Sequence, residues 1–274
     1  MSNAYLEKLN KINDPDLAVK HTIPDRTRII SIIKCIQVIL FPDYYSYHNM
    51  YPEEAYIKAR NDLKKEIESA LCYENRCDEK ADQYIDAFFN ELIDTKRILL
   101  TDIQAIYNGD PAAKSKGEII LCYPGFYAIT IYRIAHILYK MKIPHVCRIM
   151  TEFAHEKTGI DINPGAEIGQ SFCIDHGTGI VIGETATIGH DVKIYQGVTI
   201  GAKFFELDEN GYPVKSGKRH PDIGNNVVIY ANATILGGTT RIGNNCVIGG
   251  SVWLTESVPD NETVTYKKCV RHSL

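Results

Sequence analysis

From residue 162 onward the chain repeats with a period of six. Aliphatic residues stand at Ile162, Ile168 and Ile174, then at Ile182, Ile188, Ile194 and Ile200. They return at Ile223, Ile229 and Ile235, and last at Ile242, Ile248 and Leu254. Four residues after most of them comes a small or β-branched residue, as at Ala166, Thr178, Ala186, Val192, Val198 and Ala233. Six residues are not a whole number of α-helical turns, so no helix keeps these positions on one face. An ordinary β-sandwich calls for alternating strands and more widely spaced turn signals, and fits poorly. The period is that of a parallel β-helix, in which each six-residue unit makes one flat side and the coils stack. The aliphatic residue points inward, and the small residue lets the chain turn the corner.

The spacing further resembles the left-handed β-helix of the hexapeptide acyltransferases. That resemblance implies three units to a triangular coil, so the thirteen units make slightly more than four coils. Upstream the pattern is different. Ala55, Ala59, Leu63, Ile67 and Leu71 form one helical stripe behind Pro52, Glu53 and Glu54, which suit a helix start. Helices are also expected over 81–107, ended by the turn residues of NGDP, and over 118–141. The fold class is therefore α+β: a helical N-terminal domain (1–158), a left-handed β-helix (159–260) and a flexible C-terminal tail (261–274).

A net charge of −4 gives no bulk attraction for nucleic acid or an anionic membrane, so neither is expected as a partner. The longest apolar runs are too short, or carry Arg133 and His136, to span a bilayer. The eight cysteines show no CxxC spacing and no signal peptide precedes the helices, which reads as a cytoplasmic protein with reduced thiols.

Functional residues are expected where the regular scaffold is interrupted. Ile174 to Ile182 is a step of eight, and it contains Asp175 and His176, with Glu184 just after. A long excursion between Ile200 and Ile223 ends with Lys215, Lys218, Arg219 and His220. The Asn210-Gly211 pair within it suggests a type I′ hairpin arm. A solvated surface loop explains residues 203–214 equally well. A histidine near neutral pKa serves as a general base when a carboxylate fixes its tautomer. Asp161, fifteen residues before His176, is close to one coil away and would stack beside it. On spacing alone, His176 reads equally as a base or as a surface histidine in a glycine-rich turn.

The segments DINPGAEIG (161–169), IDHGTGIVIGETATIG (174–189), VTIG (198–201) and KSGKRHPDIG (215–224) resemble the serine O-acetyltransferase family. So do DPAA (110–113) and PGFYAITIYRIAH (124–136). The resemblance implies acetyl transfer from acetyl-CoA to the L-serine hydroxyl by direct attack, with no metal. His176 matches the family's base and Asp161 its orienting partner. Asp110 and Asp175 match residues that hold the serine amino group and hydroxyl. Arg219 and His220 match those that hold its carboxylate, and Glu184 matches a further polar position. Gly201, Ala202, Ala231 and Gly249, with Lys215 and Lys218, fall where acetyl-CoA is taken. The family also implies sites shared between subunits of a homotrimer or dimer of trimers, and feedback inhibition by L-cysteine.

The sequence departs from the family pattern at Asn163, where His is usual, at Tyr230, where Gly is common, and in the longer loop before KSGKRHP. Homoserine or a sugar hydroxyl is the rival acceptor. Two other readings are a metal site from His176, His190 and His220, whose spacing does not match, and a scaffold with a decayed site. The tail ends in Leu274 rather than the isoleucine by which relatives dock on O-acetylserine sulfhydrylase, so a weak complex or none is expected.

Overall fold

The computed structural model describes residues 3–12, 14, 22–204, 207–214 and 216–266. Among these residues, seven helices come first: α1 (Asn3–Asn10), α2 (Arg26–Leu40), α3 (Pro52–Tyr73), α4 (Ala81–Gly109), α5 (Lys116–Cys122), α6 (Pro124–Lys140) and α7 (Val146–Thr158). The α3 stripe of Ala55, Ala59, Leu63, Ile67 and Leu71 is buried as its spacing demands. The Glu54 carboxylate accepts a hydrogen bond from the Tyr51 N–H at 2.9 Å, which closes the helix start. The one helix expected over 118–141 is two. Pro124 has no N–H to donate back into α5, and it keeps Tyr123 extended at φ −84° and ψ 117°, so the chain restarts as α6.

Fourteen strands, β1 to β14 in chain order, then wind into a parallel β-helix of three faces. The first face stacks β1 (Asp161–Ile162), β4 (Val181–Ile182), β7 (Thr199–Gly201), β10 (Thr234–Leu236) and β13 (Trp253–Leu254). The second stacks β2 (Glu167–Ile168), β5 (Thr187–Ile188), β8 (Asp222–Ile223) and β11 (Arg241–Ile242). The third stacks β3 (Cys173–Asp175), β6 (Lys193–Tyr195), β9 (Val228–Ile229), β12 (Val247–Ile248) and β14 (Thr263–Val264). Each repeat aliphatic lies on the next: Ile162, Ile182, Ile200, Ile235 and Leu254 form one column. Pairing of Thr263 with Val247 carries the stack past residue 260, into the segment expected as tail. Residues 267–274, with Leu274, lie outside the described residues.

The corners dictate residue types. Ser171, Asp191, Asn226, Asn245 and Asn261 take positive φ at the corner between second and third faces, where Asn and Asp tolerate the left-handed region. Asn226, Asn245 and Asn261 bond one above another at 3.2 and 3.0 Å. The excursion between β7 and β8 is not a type I′ hairpin. Of its two central residues only Gly211 has positive φ (82°), and the Asp208 carboxylate instead accepts the N–H groups of Asn210 and Tyr212. Among its described residues an antiparallel bridge joins Leu207 to Pro213.

The helical domain is fastened to the first coil by buried polar contacts. Arg133 on α6 forks onto Asp102 of α4 at 2.7 and 2.9 Å, and its remaining donors reach the Ile168 and Gly169 carbonyls at 3.1 and 2.7 Å. Asp102 also accepts from the Phe172 N–H at 2.8 Å. These bonds hold the end of α4 over the third face. The expectation that every thiol is reduced fails for one pair: the turn after α3 brings Cys72 and Cys77 to a Cα separation of 4.3 Å, and they are disulfide-bonded. Among the described residues no helix is long and apolar enough to cross a membrane.

Candidate active site

The interruptions of the repeat place the expected site residues at two different corners of the prism. At the corner between third and first faces lie Asp175, the last residue of β3, and His176, whose φ of 58° turns the chain. Asp110 caps the C-terminal end of α4 above this corner. Its carboxylate accepts from the Tyr123 hydroxyl at 2.6 Å and the Ala112 N–H at 2.8 Å. These bonds, helped by the charges of Lys193 and His176, hold it below the usual carboxylate range. Asp175 pairs with Lys193 at 2.9 Å. The His176 side chain is 73% exposed, free to meet a substrate, and its Nε2 lies 3.7 Å from Asp175 Oδ1.

Asp161 is in register with Val181 on the coil that carries the two extra residues, and the side chain of Ile160 beside it lies against Gly177, next to His176. The Asp161 carboxylate gathers with Glu152 and His155 of α7, ligand atoms within 4.8 Å of one another.

At the corner between first and second faces lie Glu184, Arg219 and His220. Arg219 and Glu184 form an ion pair. Burial works against the Glu184 carboxylate, but Arg219 and the Tyr139 hydroxyl, 3.1 Å away, hold its pKa down. Thr185 organises the loop: its hydroxyl accepts the N–H groups of Arg219 and His220 at 3.0 and 3.1 Å. Its own N–H donates to His220 Nδ1 at 3.1 Å, and its hydroxyl lies 2.9 Å from the same nitrogen. Burial, then the Arg219 charge, push the His220 pKa down to about 4, so the ring is neutral and Nε2 carries the proton. The ring occupies the space above Gly183, where a Cβ would come within 2.0 Å of it.

The residues expected to take acetyl-CoA divide in the same way. Gly201 ends β7 and Ala202 follows it at the Glu184 corner, beside a cleft of about 360 Å³ lined by Lys203, Arg219, Gly237 and Gly238. Ala231 and Gly249 follow β9 and β12 at the His176 corner. Lys218 is already bonded to the Thr185 carbonyl at 2.6 Å and Asp222 at 2.5 Å. Lys215 lies outside the described residues. A cavity of about 910 Å³ lies elsewhere, a wedge between the α6–α7 connection and the second face.

Four residues at these corners went unnoticed in the sequence: Tyr123, Tyr139, Thr185 and Lys193. Lys193 occupies the same outward position before an aliphatic as Glu167, Thr187, Thr199, Asp222 and Arg241, and nothing in the repeat sets it apart. Cys173, buried beneath Asp175, has its thiol pushed up to about 12 by burial, which keeps it protonated.

The chain is similar to known proteins along most of its length. The model described as "Serine acetyltransferase, N-terminal" matches residues 53–131. Crystal structures of serine acetyltransferases superpose along most of the chain. That of Entamoeba histolytica serine acetyltransferase 1 in complex with L-cysteine has a TM-score of 0.78 and 36% identity, covering 96% of each chain. That of the Brucella abortus enzyme in complex with coenzyme A has a TM-score of 0.62 and 26% identity, covering 97% of this chain and 87% of its own. The "Serine acetyltransferase, plasmid" of Synechococcus elongatus is 43% identical over 257 residues, 87% of this chain and 80% of its own length. On that identity and coverage, the chain belongs to the serine acetyltransferase family of acyltransferases.

Proposed function

We propose that this enzyme moves the acetyl group of acetyl-CoA to the hydroxyl of L-serine, giving O-acetylserine and CoA, at sites completed between the subunits of a homotrimer. The observation that carries the reading is the division of the site between two corners. Serine carries an ammonium and a carboxylate on one carbon, so the groups that bind them must lie a few ångströms apart. In one chain the acidic set (Asp110, Asp175) and the cationic set (Arg219, with the Nε2–H donor of His220) are separated by the whole first face. A six-residue side spans up to about 20 Å. Apposition of the two corners from neighbouring subunits brings the sets together, and brings Gly201 and Ala202 opposite Ala231 and Gly249.

In that arrangement the exposed His176 imidazole takes the proton from the serine hydroxyl as its oxygen attacks the thioester carbonyl. The tetrahedral intermediate collapses with loss of the CoA thiolate, which takes the proton from His176 to leave as the thiol. No enzyme nucleophile takes part, in keeping with the buried, protonated Cys173. Asp175 Oδ1 lies 3.7 Å from the His176 ring, and the resemblance to the family gives the orienting role to Asp161. L-cysteine, bound by the Entamoeba relative, shares the ammonium and carboxylate of serine and competes with it for the same anchors.

The test is thiol release from acetyl-CoA with serine, homoserine and simple sugars as acceptors. Serine alone turns over rapidly, and His176→Ala lowers kcat by about 10² to 10⁴. Preference for homoserine or a sugar overturns the acceptor, and near-wild-type turnover of His176→Ala overturns the base.

A further inference from the structure

Beneath the two carboxylates assigned to the acceptor ammonium stands Lys193, at the start of β6 and in register with Cys173 of β3. Its side chain is only 17% exposed. Nζ donates to the Gly109 carbonyl at 2.6 Å and contacts Asp175 Oδ2 at 2.9 Å, with the Tyr195 ring centre 4.5 Å away. Gly109 is the last residue of α4 and the neighbour of Asp110. Carbonyls at a helix C-terminus lack intrahelical partners and carry the negative end of the dipole, so a cation is well placed there. A single ammonium thus ties the α4 end, with Asp110, to the β3 end, with Asp175.

We infer that Lys193 is a positioning residue for the acceptor: it fixes the spacing of the Asp110 and Asp175 carboxylates and leaves the pair one net negative charge, matched to one substrate ammonium. The inference rests on the proposed binding of serine by these carboxylates. Burial disfavours the lysine charge, but its contacts with Tyr195 and Asp175 outweigh this and raise its pKa, so the tether is charged wherever the enzyme works. Its removal frees Asp175 to rotate, takes the tether from the Gly109 carbonyl next to Asp110 and leaves two unbalanced carboxylates facing each other's charge. Acetyl-CoA, whose expected contacts are Gly201, Ala202, Ala231 and Gly249, touches none of these groups.

The experiment uses the full-length enzyme with Lys193→Met and Lys193→Arg. For Lys193→Met the serine KM rises by about tenfold or more, the scale of one lost charge-assisted contact. The inhibition constant of cysteine rises in step. The acetyl-CoA KM and kcat change by no more than about twofold, because uniform binding of the acceptor alone is lost. Lys193→Arg, which keeps the charge, recovers most of the serine KM. An unchanged serine KM in Lys193→Met overturns the inference. So does a parallel loss in kcat and both KM values with a lowered melting temperature, which marks a purely structural lysine. If Lys193→Met does not fold, Lys193→Gln is read in the same way, and failure of both to fold also overturns it. Wild-type enzyme that does not acetylate serine sinks the proposed function instead, whatever Lys193 does.

Discussion

With Nδ1 taken up by the Thr185 N–H and hydroxyl, His220 is a neutral ring that offers only the Nε2 proton. That suits a donor to a carboxylate and removes it from consideration as a second base. Its depressed pKa also has a consequence for stability. The unfolded chain binds the imidazole proton near pH 6.5, whereas the folded ring does so only at about 4. As pH falls through this window the unfolded state takes up the proton first, so the contribution of His220 is complete above about pH 6.5 and is lost toward pH 4. The slope from one proton is at most about 1.4 kcal/mol per pH unit. His136, whose pKa burial also lowers, adds a contribution of the same sign. Denaturant titrations of wild type and His220→Gln between pH 7 and about pH 4 isolate the His220 part. The variant loses stability with falling pH less steeply, and equal slopes would show that His220 is not held neutral by the fold.

At the scale of elements, the decisive contact is the junction of α4, α6 and the first coil. Arg133 spends its donors on Asp102 and on two β-helix carbonyls, and both charges are almost wholly buried. Burial raises the Asp102 pKa against the pull of Arg133, so the carboxylate depends on its partner. Arg133→Met leaves that charge unpaired and is expected to cost about 3–5 kcal/mol in chemical denaturation, whereas replacing both partners, Arg133→Met with Asp102→Leu, recovers part of it. A cost below about 1 kcal/mol for the single change, the range of an exposed pair, would mean that the junction is not held by this contact. Much of this level was legible in the sequence. The six-residue period located each aliphatic column because an inward position repeats whatever the neighbouring side chains are, and the breaks in the period fall at the two corners where the candidate residues gather. What escaped were relations between coils. The six-residue period says nothing of the α7 side chains Glu152 and His155 that gather with Asp161. Lys193 was invisible for a related reason: its role comes from a helix end more than eighty residues earlier, and Arg133 was read only as a charge that excludes a membrane span.

At the scale of the whole molecule, the separation of the acidic and cationic corners makes an intersubunit site a matter of geometry that mixing can test. If each site takes His176 from one subunit and Arg219 from the next, homotrimers of His176→Ala and of Arg219→Ala are both inactive, the first for want of a base and the second for want of a carboxylate anchor. When equal amounts of the two are unfolded and refolded together, subunits combine at random in a closed cyclic assembly. A site then works only where an Arg219→Ala subunit, with its intact His176, precedes a His176→Ala subunit, with its intact Arg219. Each condition holds with probability one half, so about one quarter of sites recover, and the mixture shows about one quarter of wild-type specific activity. Mixing the two without unfolding leaves them inactive as long as subunits do not exchange, which serves as the control. If the refolded mixture is no more active than its components, each site belongs to a single chain, and the two corners must then meet through a rearrangement of the coils rather than through assembly.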